Sequence, residues 1–264
     1  MSIDIVVEYI RSRYRSVAIA FSGGFDSTLL LYAAVKALGR ERVVAITVDA
    51  PHISRRDVER CRAIARELGV QHIVLELPHI LELEDVRKNT ANRCYLCKKA
   101  MYRAIAAKAR ELGLEAVLDG TNADDFSSDR PGLRALKELN IDTPLARCGI
   151  GRKDVEKLVL CYGYPLSMAR RTTCLLTRFP PNREVRLDDL KRVERAESIL
   201  IECLGYEPKV LRVRDHGDLA RIEVDREDMV KLLEILVPRS RCLEELKKLG
   251  YRYITLDCEG YHGW

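Results

Sequence analysis

The chain has 264 residues, 47% of them hydrophobic, enough to bury a substantial core and to divide into one large and one small domain. Its net charge of +5 is modestly basic, which suits an anionic substrate without demanding nucleic acid. No stretch resembles a secretory leader or a membrane span, since charged residues interrupt every apolar run, so a cytoplasmic protein is the expectation. Disulfides are rare in that compartment, which makes the nine cysteines candidates for metal binding or catalysis first. Cys61, Cys161 and Cys203 fall in helical patterns, Cys148 and Cys242 near element ends, and Cys258 after a strand. For these six a small buried apolar side chain is the simpler reading.

The apolar run at 17–21 reads as a buried strand and 29–35 as a helix. Between them stands Ser22-Gly23-Gly24-Phe25-Asp26-Ser27-Thr28. The glycine pair lets backbone N–H groups come close to phosphate oxygens, and the following helix N-terminus favours negative charge. Ser22, Ser27 and Thr28 add hydroxyl donors, and Asp26 can hold Mg²⁺ between phosphates. A Walker loop is excluded, because no Gly-Lys-Ser/Thr follows.

Further along, 42–49 reads as a second strand, 55–68 as an amphipathic helix ended by Gly69, and 71–77 as a third strand. A helix over 97–112 closes at Gly113, and a fourth strand at 116–119 runs into Gly120-Thr121-Asn122. This alternation predicts an α/β fold with a doubly wound parallel sheet and a ligand at the carboxyl ends of its strands. Asp49 and Gly120 would meet the loop there. The segment 126–150 is turn-rich around Asp129-Arg130-Pro131-Gly132, a short helix covers 153–160, and Pro180-Pro181 marks a domain boundary. The predicted domains are therefore 1–180 and 181–264. The second reads as small and α+β: a helix at 187–204, a hairpin of 209–215 and 219–224, helices at 228–236 and 240–249, and a strand at 251–256.

Cys94 and Cys97 form the chain's CxxC, a spacing that suits zinc, an iron–sulfur cluster or a redox pair. One such pair is an incomplete ligand set. Cys174, in a polar loop flanked by Arg170, Arg171 and Arg178, is the best third candidate, since neighbouring guanidinium groups favour a thiolate. Arg212 and Arg214 alternate along a strand and so face one side, where two guanidinium groups suit a phosphate.

The SGGFDST loop resembles the PP-loop of the ATP pyrophosphatases. Together with NRCYLCK, LDGTNADD, DRPG, CLLTRF, RVRDHGDLARIE and GYRYITLD, it makes nearly the whole chain similar to the LarE family of ATP-dependent sulfur transferases. That resemblance implies adenylation of a carboxylate of pyridinium-3,5-biscarboxylic acid mononucleotide, then displacement of AMP by sulfur, on the way to a nickel-pincer nucleotide. ATP and Mg²⁺ are implied at Ser22, Gly23, Gly24, Asp26, Ser27 and Thr28, with Asp49, Gly120 and Thr121 at the adenosine and Asp125 and Arg130 bordering the site. Cys174 and Arg178 would be catalytic, and Arg212, Arg214, Arg221 and Glu223 would receive the nucleotide substrate. Sulfur would come sacrificially from Cys174 or from sulfide on a [4Fe-4S] cluster held by Cys94, Cys97 and Cys174; the three cysteines favour the cluster. A cysteine desulfurase or free sulfide as donor and a homo-oligomer are also implied.

The chain departs from the family in its lead into the cysteine loop, where Tyr164-Pro165-Leu166-Ser167-Met168-Ala169 replaces a Trp-Asp-Lys-Pro-like run. The nearest alternative is a PP-loop tRNA thiolase with a three-cysteine cluster. No RNA-binding domain or interleaved aromatic–basic patch supports it, so tRNA is not an expected partner. An ammonia-using amidating synthetase and an ATP-binding stress module would each leave the cysteines without a task.

Overall fold

In a computed structural model, which describes residues 2–127, 131–171, 173–237 and 240–261, the chain divides into two compact units. One comprises Met1–Val86 and Asn92–Thr172, the other Arg87–Ala91 and Thr173–Trp264.

The first unit holds the predicted parallel sheet. Its strands are β1 (Val17–Ala20), β2 (Val43–Asp49), β3 (Gln71–Glu76) and β4 (Ala116–Asp119), in the order β3-β2-β1-β4. Every pair is parallel, with Val17 opposite Val43 on one side and Ala116 on the other. The chain therefore winds from β1 outward through β2 and β3, then returns to the far side of β1 as β4. That reversal makes the carboxyl end of β1 the topological switch point, where an open α/β sheet leaves a crevice for ligand. The loop at 22–24 leaves the sheet there.

Helices cover both faces: α1 (Asp4–Arg13), α2 (Phe25–Leu38), α3 (Arg55–Glu67), α4 (Glu84–Arg87, which runs to the edge of the unit), α5 (Arg93–Glu111), α6 (Pro131–Glu138), α7 (Pro144–Arg147) and α8 (Arg152–Tyr162). The sequence reading began at the first strand and missed α1. Its Val6, Val7 and Ile10, with Ile3 at its N-cap, recur at helical spacing and join the core of Leu29, Leu30, Leu31, Val155 and Val159. The stretch read as turns from 126 to 150 also contains helices, both begun by proline, whose fixed φ and missing N–H cost nothing in a first turn. α5 starts at Arg93 rather than at Cys97, so the CxxC lies inside the helix.

The second unit contains α9 (Leu187–Leu204), β5 (Leu211–Asp215), β6 (Leu219–Val224), α10 (Arg226–Leu236), α11 (Arg241–Lys248) and β7 (Tyr253–Leu256). β5 and β6 form the predicted antiparallel hairpin, and β7 adds parallel to β6. Its core gathers Leu200, Leu204, Val213, Ile222, Val224, Leu232, Leu246 and Tyr251. Among the described residues, no helix is long and apolar enough to cross a membrane.

Candidate active site

Phe21 follows β1, its carbonyl accepts from the Thr47 hydroxyl at 2.8 Å, and the chain then turns through Gly23 with φ +70°. A Cβ at Gly23 would lie 3.0 Å from Cys61 Sγ, so the turn needs glycine for both conformation and space. The Ser22 and Ser27 hydroxyls sit 3.1 Å apart, and Thr28 N–H donates to Gly24 O at 2.9 Å as α2 begins. Among the described residues, no side chain caps this helix N-terminus. Its first N–H groups and the Ser22 and Ser27 hydroxyls thus form a cradle suited to phosphate.

Asp26, in the first turn of α2, has its carboxyl pushed up to about 6, first by burial, with further upward pressure from the Asp125 carboxylate. Asn122 Nδ2 donates to Asp26 Oδ1 at 2.9 Å and works in the opposite direction. Asp125 is buried and accepts from Arg152 Nη2 at 3.5 Å. Two acidic groups held close in a desolvated crevice fit a divalent cation that phosphate oxygens complete, the mode usual for Mg²⁺. Gly120 closes this arrangement from β4: a Cβ there would stand 2.7 Å from Ser27 N and 2.9 Å from Asp26 C.

The other expected nucleotide residues already have partners. Asp49, at the end of β2, is held by both terminal nitrogens of Arg55, one at 2.5 Å. Thr121 bonds Asp119 through its hydroxyl and also through its N–H, at 2.8 Å. Arg130 lies outside the described residues.

In the second unit, Cys174 is half-buried at the entrance to a 3₁₀ turn, Leu175–Arg178. Its carbonyl accepts from Thr177 Oγ1 at 2.7 Å and Arg178 Nη1 at 3.3 Å. Arg178 is 3% exposed; it also grips Thr173 Oγ1 at 2.6 Å and pairs through Nε with Glu197 Oε1 at 2.8 Å. Glu197, from α9, further accepts from Val213 N at 3.2 Å. A second arginine, Arg214, donates to Thr177 O at 2.6 Å and binds Glu223 Oε2 through Nε and Nη2 at 2.9 and 2.7 Å. Arg221 Nη2 takes the other Glu223 oxygen at 2.9 Å. Arg212 is buried as well and donates to Leu211 O at 2.8 Å. The turn that carries Cys174 is thus clamped by two buried arginines, each anchored on a carboxylate. Sequence reasoning missed Glu197. Its signal is a lone acid on the apolar stripe of Val193, Ala196 and Leu200, since a carboxylate buried there must find a cation.

Cys94 and Cys97 belong to the first unit, Cys94 exposed and Cys97 buried. Cys97 Sγ lies 3.2 Å from Nε2 of His52, a residue the sequence reading passed over. His52 is 2% exposed, and burial lowers its imidazole to about 4. Among the described residues, no three His, Cys, Asp or Glu side chains are gathered to hold a metal ion. Of the six remaining cysteines, Cys61 and Cys242 are buried as expected, whereas Cys161 and Cys258 are exposed.

A PP-loop domain family matches residues 3–129. An uncharacterised protein of Synechocystis sp. is 35% identical over 92% of this chain and 88% of its own length. An uncharacterised protein of Methanocaldococcus jannaschii is 32% identical over 95% and 92%. The pyridinium-3,5-bisthiocarboxylic acid mononucleotide synthase of Lactiplantibacillus plantarum is 32% identical over 93% and 86%.

Proposed function

The chain belongs to the LarE family of PP-loop proteins, and from that premise we propose that it uses ATP to move sulfur onto a carboxylate of a pyridinium dicarboxylate mononucleotide. The supporting observation is similarity to the synthase over 93% of the chain, since the PP-loop match ends at residue 129, well before Cys174.

The loop N–H groups and the Ser22 and Ser27 hydroxyls receive the ATP phosphates. Asp26 and Asp125 would hold Mg²⁺, which supplies charge neutralisation as pyrophosphate leaves. A carboxylate oxygen of the substrate attacks the α-phosphorus, forming an acyl-adenylate and giving the acyl carbon a good leaving group. Sulfur of Cys174 then attacks that carbon and displaces AMP. Loss of the Cys174 Cα proton breaks its Cβ–S bond, so that the thiocarboxylate departs and dehydroalanine remains. Arg178 and Arg214 hold the turn through Cys174 O and Thr177 O, and so set the direction of the thiol. Arg212 and Arg221 are the groups for the substrate phosphate, with Glu223 orienting Arg221.

The test is intact-chain mass spectrometry after anaerobic reaction with Mg-ATP, the biscarboxylate mononucleotide and sulfide, with thiocarboxylate counted alongside. Product limited to the amount of enzyme, and a chain lighter by the elements of H₂S at Cys174, is expected. Product in excess of enzyme at unchanged mass, with iron in the protein, would transfer the sulfur-carrying role to a cluster on Cys94, Cys97 and Cys174. Failure to release pyrophosphate would refute the function altogether.

A further inference from the structure

Cys203 and Cys242 read in the sequence as separate small apolar side chains, yet the fold of the second unit brings them into contact. Cys203 is the penultimate residue of α9, and Cys242 is the second residue of α11. Cys203 lies one turn beyond Ile199 and Leu200 on the buried stripe of α9, and Cys242 lies one turn before Leu246 on that of α11. These side chains share one core, and the two thiols are hydrogen-bonded to each other. Burial first, and then that bond, push the Cys242 thiol far up, so it keeps its proton. Access is unequal: Cys242 is 3% exposed, whereas Cys203 is half-buried, so a small molecule meets Cys203 first. Two sulfurs close enough to share a proton reach bonding distance by side-chain rotation. The segment between them contains β5, β6 and α10. β5 and β6 carry Arg214 and Glu223, whose pairing holds Thr177 O at 2.6 Å, and α9 carries Glu197, the anchor of Arg178. A tie between 203 and 242 therefore encloses most of the clamp on the Cys174 turn. The unit has fewer than about 100 residues, a size at which a modest buried fraction leaves a covalent tie much to add.

We propose that Cys203 and Cys242 are an oxidisable pair whose disulfide ties α9 to α11 and closes β5, β6 and α10 into one covalent loop. The oxidant is a small organic disulfide, R–S–S–R. Cys203 sulfur attacks one of its sulfurs, the donor S–S bond breaks, and R–SH leaves with the Cys203 proton. Cys242 sulfur then attacks Cys203 Sγ in the mixed disulfide, and a second R–SH leaves with the Cys242 proton. The two cysteines have lost two electrons and the oxidant has gained them. The bond closes a loop of roughly 40 residues, which removes freedom from the unfolded chain and leaves the folded contacts in place. Neither the exchange nor the tie depends on the sulfur transfer proposed above.

The experiment treats the full-length protein with 2-hydroxyethyl disulfide, alkylates the remaining thiols in denaturant, and maps the cysteine peptides by mass spectrometry. A linked peptide pair containing Cys203 and Cys242, lighter by two hydrogens and released by dithiothreitol, is expected. Hydrogen exchange at the slowest amides of β5 and β6, read against the reduced protein, should slow by roughly a hundredfold, and this readout reports on the second unit alone. Cys203→Ser should abolish the linked pair and the difference in exchange between treated and untreated protein. The unmodified protein decides the matter even if that variant misfolds. Both cysteines alkylated after treatment, Cys203 left as a mixed disulfide beside an alkylated Cys242, or either one joined to a different cysteine would overturn the pairing. A Cys203–Cys242 bond with unchanged exchange in β5 and β6 would overturn its role as a tie.

Discussion

Gly120→Ala isolates how closely β4 controls the phosphate loop. The added Cβ would lie 2.7 Å from Ser27 N and 2.9 Å from Asp26 C and Ser27 Cα, all backbone atoms of the first turn of α2. Ordinary contact begins near 3.4 Å, so the start of α2 must retreat by roughly 0.7 Å. Overpacking of this kind costs about 1–3 kcal/mol, but its larger effect falls on geometry, since a misplacement near 1 Å can cost about a hundredfold in rate. ATP pyrophosphatase activity should therefore fall roughly tenfold to a hundredfold, and by more than the loss of melting temperature accounts for. Gly113→Ala is the control. Its φ of +68° strains an alanine by about 1–2 kcal/mol, yet nothing lies within 4 Å of the new methyl. It should lower the melting temperature and spare pyrophosphate release from folded protein. If Gly120→Ala folds and cleaves ATP at the native rate, the reasoning that Gly120 seats the loop is refuted.

The remaining predictions concern the two carboxylate systems and the thiol. Asp26 ionises at about 6 in the folded protein against an ordinary 3.8, so the native state binds the extra proton and stability falls as pH rises through that window. In ligand-free thermal melts, Asp26→Asn should gain on the native protein between these two pH values, by about 3 kcal/mol at neutral pH, while losing Mg²⁺-dependent ATP cleavage; a pH-independent gap would contradict the assignment. Glu197→Ala leaves Arg178 buried without its carboxylate, at about 3–5 kcal/mol by denaturant unfolding. The pair Arg178→Met with Glu197→Leu should recover most of that stability and the ATP cleavage but not sulfur transfer, because Thr173 and Cys174 lose the grip of Arg178. Cys174→Ala should release pyrophosphate at the native rate and form no thiocarboxylate, which a coupled pyrophosphate assay and product chromatography would check.

Much of this was readable before any coordinates. Val17–Ala20, the double glycine and Asp26 are contiguous, and a buried strand, a tight turn and a helix start are decided by neighbours within a few residues. The strand–helix alternation likewise implied a parallel sheet, because short-range periodicity and right-handed crossovers leave few other arrangements. Helix α1 and the helices of 131–147 were missed for a local reason: ten residues with four apolar positions, or turn residues that also begin helices, read weakly in isolation.

What tertiary structure alone decided is the state of each functional side chain. Asn122 reaches Asp26 across 96 residues and His52 reaches Cys97 across 45, distances over which no periodicity speaks. Arg178 and Arg214 read as substrate or catalytic groups in the sequence, and only the packing of α9 and β6 gives them Glu197 and Glu223 as partners. The sequence by itself determined the fold and the chemistry available, because backbone conformation and burial follow local pattern. Which arginine clamps a turn, which thiol is sheltered and which carboxyl holds its proton depend on desolvation and on charges brought together by the folded chain.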